Sequence, residues 1–228
     1  MTAAIVFIDL TGFTGLSEEV GLDATHQMLS QFHAIIGSTA AAFGGRVAAQ
    51  LGDGAMMIFA ARESPVENAA GSVAACTDLV SRMTAWMSGD NEVRVPDGFR
   101  IGGHLGEVVM AELSHACHDD GTPLGDVVNV AHRLLEVAKD RSAEIVLSED
   151  LVRAATTLVP GLVRQLHGRE RVAIRGRKQE MSIRLARAGA FLSSEQHNSI
   201  PLPAEGINGS GTIMTARTCS ERNLHSPK

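Results

Sequence analysis

The 228-residue chain has no apolar run that approaches the roughly 20 residues needed to cross a bilayer, so no membrane span is predicted. The N-terminus lacks the layout of a secretion signal, and the short apolar stretch Ala3–Ile8 reads instead as the opening of a strand. Long lysine- or arginine-rich stretches are also missing. With a net charge of −6, this leaves no basic surface for nucleic acid. Cysteine is scarce: Cys76, Cys117 and Cys219 are odd in number and widely spaced, give no disulfide framework and fit a reducing cytosol. A cytoplasmic protein with neither membrane nor nucleic-acid partners is expected. There is no internal repeat. What the chain does have is 44% hydrophobic residues, enough for one sizeable core.

Two acidic residues interrupt that apolar content. Asp9 ends the run Ala3-Ala4-Ile5-Val6-Phe7-Ile8, and Asp53 follows Val47-Ala48-Ala49-Gln50-Leu51-Gly52 before the chain resumes as Gly54-Ala55-Met56-Met57-Ile58-Phe59. Both runs read as strands, and each Asp has a glycine close behind it (Gly12, Gly54), where the backbone can bend or approach a ligand. A buried carboxylate without a counter-charge is costly. Two of them meeting at one spot would bind a divalent cation through oxygen, as magnesium does with phosphate substrates.

Between and after these runs the pattern is helical. Asp23 is placed to cap a helix carrying Met28, Leu29, Phe32, Ile35, Ile36, Ala40 and Phe43 at helical spacing, ended by Gly44-Gly45. The segment around Asp53 is a predicted hairpin. Ser64-Pro65-Val66-Glu67 supplies an N-cap, a first-turn proline and a capping-box glutamate for a second helix through Trp86. Phe99–Gly103 and Glu107–Leu113 are predicted as strand halves around Leu105-Gly106. Asp126 would cap a third helix, Glu144–Leu147 is a short strand, and Arg171–Ile174 with Met181–Leu185 make a late hairpin turning near Gly176. The order predicts an α+β fold, a ferredoxin-like βαββαβ sandwich with an added C-terminal hairpin. It occupies residues 1–187. From about Ala188 Ser, Asn, Gly, Pro and Thr take over without period, so 188–228 reads as a disordered tail. His115, Cys117, His118 and Asp119 cluster without zinc-like spacing and read as an exposed polar loop.

Three blocks of this sequence resemble one family. Phe7-Ile8-Asp9-Leu10-Thr11-Gly12-Phe13-Thr14, Leu51-Gly52-Asp53-Gly54 and Gly125-Asp126-Val127-Val128-Asn129-Val130-Ala131-His132-Arg133 are similar, in order and spacing, to the signature blocks of class III nucleotidyl cyclases. Arg100-Ile101-Gly102-Gly103-His104-Leu105-Gly106-Glu107-Val108-Val109 resembles the family's next strand. The resemblance implies a catalytic domain that closes a nucleoside triphosphate to a 3′,5′-cyclic nucleotide in a head-to-tail homodimer. Two divalent metal ions, Mg²⁺ or Mn²⁺, would be held by Asp9 and Asp53. The amides of Leu10, Thr11, Gly12 and Phe13 could cradle phosphates. Asn129 and Arg133, four apart on a helix, would orient the ribose and neutralise charge at the α-phosphate from the partner subunit. Arg175 and Arg177 could reach the outer phosphates.

The base-reading positions depart from the family pattern. A lysine is usual four residues before the second aspartate in adenylate cyclases and a glutamate in guanylate cyclases, but here the residue is Ala49. Thr122, three before Gly125, suits the adenine-type pattern through its hydroxyl, whereas Ala49 offers no hydrogen bond and Gln50 should point to the opposite strand face. ATP is the default substrate. The alternatives are a pyrimidine cyclase making cyclic UMP or cyclic CMP as an anti-phage messenger read by a separate effector protein, or a non-catalytic nucleotide-binding homologue.

Overall fold

β1 (Thr2–Thr11) is buried on both faces. Ala4, Val6, Ile8 and Leu10 face one side, and Ala3, Ile5 and Phe7 the other. A strand apolar on both faces belongs at the centre of a sheet. It pairs antiparallel with β3 (Gly54–Phe59), placing Asp9 opposite Gly54, and with β4 (Gly98–Glu107), placing Asp9 opposite Arg100. β2 (Arg46–Gln50) completes the hairpin with β3. This computed structural model describes residues 1–111, 121–166, 168–177 and 179–187. The predicted tail and the His115–Asp119 cluster lie outside them.

α2 (Leu22–Ala42) and α3 (Pro65–Ser88) cover the first face through Phe32, Ile36, Val73, Leu79 and Met83. α4 (Asp126–Arg141) covers the second through Val127 and Ala131. The order β2-β3-β1-β4 is that of the expected ferredoxin-like sandwich. Beyond β4 the sheet continues with β7 (Ile145–Ser148), parallel to β4, then β9 (Met181–Ala186) and β8 (Gly168–Val172). β8 and β9 are the expected C-terminal hairpin, and Gly176, at φ +84°, lies in its connection. A separate ribbon pairs β5 (Val109–Ala111) with β6 (Thr122–Leu124). No helix among the described residues is long and apolar enough to cross a membrane.

Several local expectations are corrected. Gly21 and Gly125, not Asp23 and Asp126, hold the N-cap positions of α2 and α4, and the acids sit in the first turns. There they favour the helix through its dipole rather than through a cap bond. Ser64 does precede α3, with Pro65 opening it, but its side chain makes no cap bond. β4 does not break at Leu105-Gly106: these residues pair with Ala4 and Ala3, because β1 is long enough to keep β4 bonded throughout. The sequence pattern also missed α1 (Phe13–Val20) and the short α5 (Glu149–Ala155) and α6 (Pro160–Val163).

Candidate active site

Asp9 sits on the α4 side of β1, in alternation with Ile5 and Phe7, and is half-buried. Its neighbour on β3 is Gly54. A Cβ there would stand 3.0 Å from Asp9 Oδ1 and 3.0 Å from the Ile8 carbonyl, so glycine leaves the carboxylate its room. Asp53 lies in the turn between β2 and β3. The Leu51 N–H donates to the Gly54 carbonyl at 2.8 Å and closes the turn, with Gly52 at φ +73°. The Leu10 N–H donates to the Asp53 carbonyl at 3.0 Å. That second bond pins the hairpin tip to the residue after Asp9, which is why two aspartates 44 positions apart share one place.

The charges register the proximity. Burial, helped by the Asp53 carboxylate, pushes the Asp9 carboxyl up to about 6, against the opposing pull of Arg100, His132 and Lys139. Arg100 is the residue that sequence reasoning did not single out. It stands directly across from Asp9, and its Nη1 donates to Thr11 Oγ1 at 2.8 Å. Only the strand register, which no linear motif gives, could have revealed it.

The expected phosphate cradle is altered in detail. The Leu10 amide is already engaged by Asp53, and the Leu10 side chain is core. Gly12, at φ +77°, is the N-cap of α1 and no side chain caps that helix. The first-turn amides of Phe13, Thr14 and Gly15 therefore have no partner within α1, which is the arrangement that suits an anion.

Asn129 and Arg133 lie on α4, exposed and half-buried respectively. The Arg133 guanidinium packs against the late hairpin, where a Cβ on Gly176 would meet its Nη1 at 3.0 Å. Beside it Arg177 donates to Asp126 Oδ2, and Arg175 is exposed. The α4 side chains that Asp9 senses are His132, whose ring meets Phe7 edge-on at 5.3 Å, and Lys139. One chain thus brings Asp9 to Asp53, and Arg133 to the Gly176 turn.

Ala49 lies opposite Met56 on the α4 side of the sheet, after an irregularity in β2. Gln50 is exposed. Arg46 Nη2 donates to the Gly121 carbonyl at 2.9 Å, tying β6 to β2 and so drawing Thr122 towards the strand of Ala49. Both base-position residues are half-buried.

Residues 1–186 match the family described as the adenylate and guanylate cyclase catalytic domain. The chain belongs to that family. Among its relatives, an adenylate cyclase of Anabaena cylindrica is 28% identical over 151 residues, 65% of this chain and 30% of that protein. Adenylate cyclase 2 of Rhizobium meliloti is 27% identical over 194 residues, 82% of this chain and 50% of that protein. An uncharacterised Mycobacterium tuberculosis protein is 31% identical over 156 residues, 68% of this chain and 28% of that protein. The cyclase domain thus spans half or less of the length of each of these relatives. The crystal structure of the guanylyl cyclase Cya2 superposes with a TM-score of 0.63 at 21% identity, covering 87% of this chain and 95% of that one. The guanylate cyclase domain of RhGC from Catenaria anguillulae in complex with GTP gives 0.62 at 19%, covering 82% and 97%. At such identities the structures establish a shared fold.

Among the described residues no group of three or more His, Cys, Asp and Glu side chains could hold a metal ion. The two carboxylates nevertheless fit a divalent cation whose other ligands are phosphate and water. Gly54 leaves space at Asp9 Oδ1, and burial beside the Asp53 carboxylate raises the Asp9 pKa.

Proposed function

We propose that this cyclase domain converts a nucleoside triphosphate into a 3′,5′-cyclic nucleotide and pyrophosphate, at sites completed by two copies of the chain. The observation that carries this reading is the meeting of Asp9 and Asp53 at one hairpin tip, with Arg100 and the free amides of α1 beside them. In the reaction the 3′-oxygen bonds to the α-phosphorus, the bond from that phosphorus to the bridging oxygen breaks, and the hydroxyl proton passes to solvent. Two divalent ions held by Asp9 and Asp53 would supply charge neutralisation and an acidified 3′-hydroxyl. Arg100 adds a fixed cation next to the aspartates, and the amides of Phe13 to Gly15 donate to phosphate oxygens.

Asn129 and Arg133 complete the site from a second copy, orienting the ribose and neutralising the α-phosphate. The homodimer is supported by the Arg133 guanidinium, which leans on the Gly176 turn. It is supported too by the exposed cross-strand pair Val109 and Leu124 on the β5–β6 ribbon, 69% and 44% accessible. Arg175, exposed on the late hairpin, would reach the outer phosphates. A nucleoside triphosphate substrate places the reaction in the cytoplasm, with the cyclic product read by a separate effector.

ATP is the substrate favoured by Thr122. Ala49 supports the second reading, a pyrimidine cyclase acting in anti-phage signalling, because a methyl group there reads no purine edge and relaxes the choice of base. Incubating the protein with Mn²⁺ or Mg²⁺ and each of ATP, GTP, CTP and UTP, with products identified by mass spectrometry, decides between them. Cyclic AMP is expected, and Asp53→Ala should abolish it. Cyclic UMP or CMP would establish the second reading. No product from any nucleotide would overturn both in favour of a non-catalytic nucleotide-binding domain.

A further inference from the structure

α2 reaches the hairpin tip through one side chain. His33 Nε2 lies 3.0 Å from the carbonyl oxygen of Gly52, the residue before Asp53. A carbonyl only accepts, so Nε2 carries the proton and donates. The other ring nitrogen, Nδ1, is buried with no hydrogen-bond partner. An orphaned buried nitrogen costs stability, and the half-buried site, flanked by the Phe32 ring at 5.2 Å, would suit an apolar side chain equally well. Packing alone therefore does not account for an imidazole here, whereas the bond to Gly52 does.

The other two restraints on the tip lie within the sheet: Leu51 to Gly54 across the turn, and Asp53 to Leu10 of β1. Gly52, at φ +73°, directs its carbonyl out of that plane to α2. We propose that His33 is a positioning residue that fixes the Asp53 loop from α2, setting the aspartate for its metal ion. The inference rests on the reading of Asp53 as a metal ligand.

The test is binding of Mn²⁺ alone to the full chain without nucleotide, followed by the electron paramagnetic resonance signal of the free ion. Four variants are compared with the parent protein: His33→Gln, whose amide can stand in for Nε2–H; His33→Asn, too short to reach; His33→Leu, which cannot donate; and Asp53→Ala. Expected is parental affinity for His33→Gln and an affinity about ten-fold weaker for His33→Asn and His33→Leu, the lower range for groups that orient metal ligands. Their thermal melts should stay close to that of His33→Gln. Parental binding by the Asn and Leu variants alongside weak binding by Asp53→Ala would overturn the role of His33 alone. Equal weakening in all three His33 variants would assign the effect to packing and overturn it too. Parental binding by Asp53→Ala would remove the metal-ligand reading itself, and the proposal with it.

Discussion

Asp9 shows how much of a site a single residue can announce. A carboxylate closing an apolar strand is visible in the sequence because burying it without compensation is costly, and the structure gives that cost a direction by raising its pKa to about 6. The folded protein holds this proton up to about pH 6, whereas an unfolded aspartate loses it near the ordinary value of 3.8. The native state therefore binds the extra proton between those values, and stability falls as pH rises through that window. Water reaches the half-exposed side chain and moderates the effect. In metal-free protein, Asp9→Asn should melt closer to the parent at pH 5 and higher than the parent at pH 7.5. Mn²⁺ should raise the parent's melting temperature at pH 7.5 and leave the variant's unchanged. Equal melting at both pH values would show that Asp9 ionises without strain. Arg100 was hidden for the opposite reason: an arginine in a strand is unremarkable until the register sets it against Asp9. Leu10 was misjudged as a phosphate donor because its amide partner, the Asp53 carbonyl, is remote in sequence.

Elements were legible where periodicity was long and illegible where it was short. α2, α3, α4 and the strands of the sandwich followed from their apolar spacing, while α1, α5 and α6 are too brief to declare a period. The glycine-to-acid exchange at the caps of α2 and α4 has a similar cause, since a sequence offers both Gly125 and Asp126 and only backbone geometry selects between them. The placement of α4 depends on a feature the sequence names without explaining. At Gly102 of β4 a Cβ would lie 2.4 Å from the Leu135 amide nitrogen and 2.7 Å from the Ala131 carbonyl, so the helix backbone rests directly on the strand. Gly102→Ala should push α4 outward at a cost of about 1–3 kcal/mol, the range for overpacking a filled interior. Because α4 carries Asn129 and Arg133, turnover should fall further than the loss of folded protein explains. Urea melts alongside specific activity per folded molecule check this, and a parental value for both would mean that α4 is free to shift.

At the scale of the whole molecule, the sheet order β2-β3-β1-β4 follows from the βαββαβ pattern, but its extension by β7, β9 and β8 is joined to β4 by pairings between residues 44 positions apart. The division of the candidate site has the same long-range character. Asp9 and Asp53 converge on one end of β1, while Arg133 leans on the Gly176 turn together with the Arg177–Asp126 pair. If a second copy closes the gap in a two-fold dimer, every site takes its aspartates from one chain and its Asn129 and Arg133 from the other. Asp53→Ala and Arg133→Ala should then each be inactive alone, for different missing parts. Mixed and allowed to exchange, half of the dimers would contain one of each. In such a dimer one site carries both defects and the other carries neither. Activity should return to about a quarter of the parental value at equal total protein, since one intact site arises in half of the dimers. A site built within a single chain could never be restored in this way, because each chain would keep its own lesion. Recovery of activity on mixing would therefore require that the two halves of the site come from different copies, and its absence, with exchange verified by differently tagged chains, would assign the complete site to one chain.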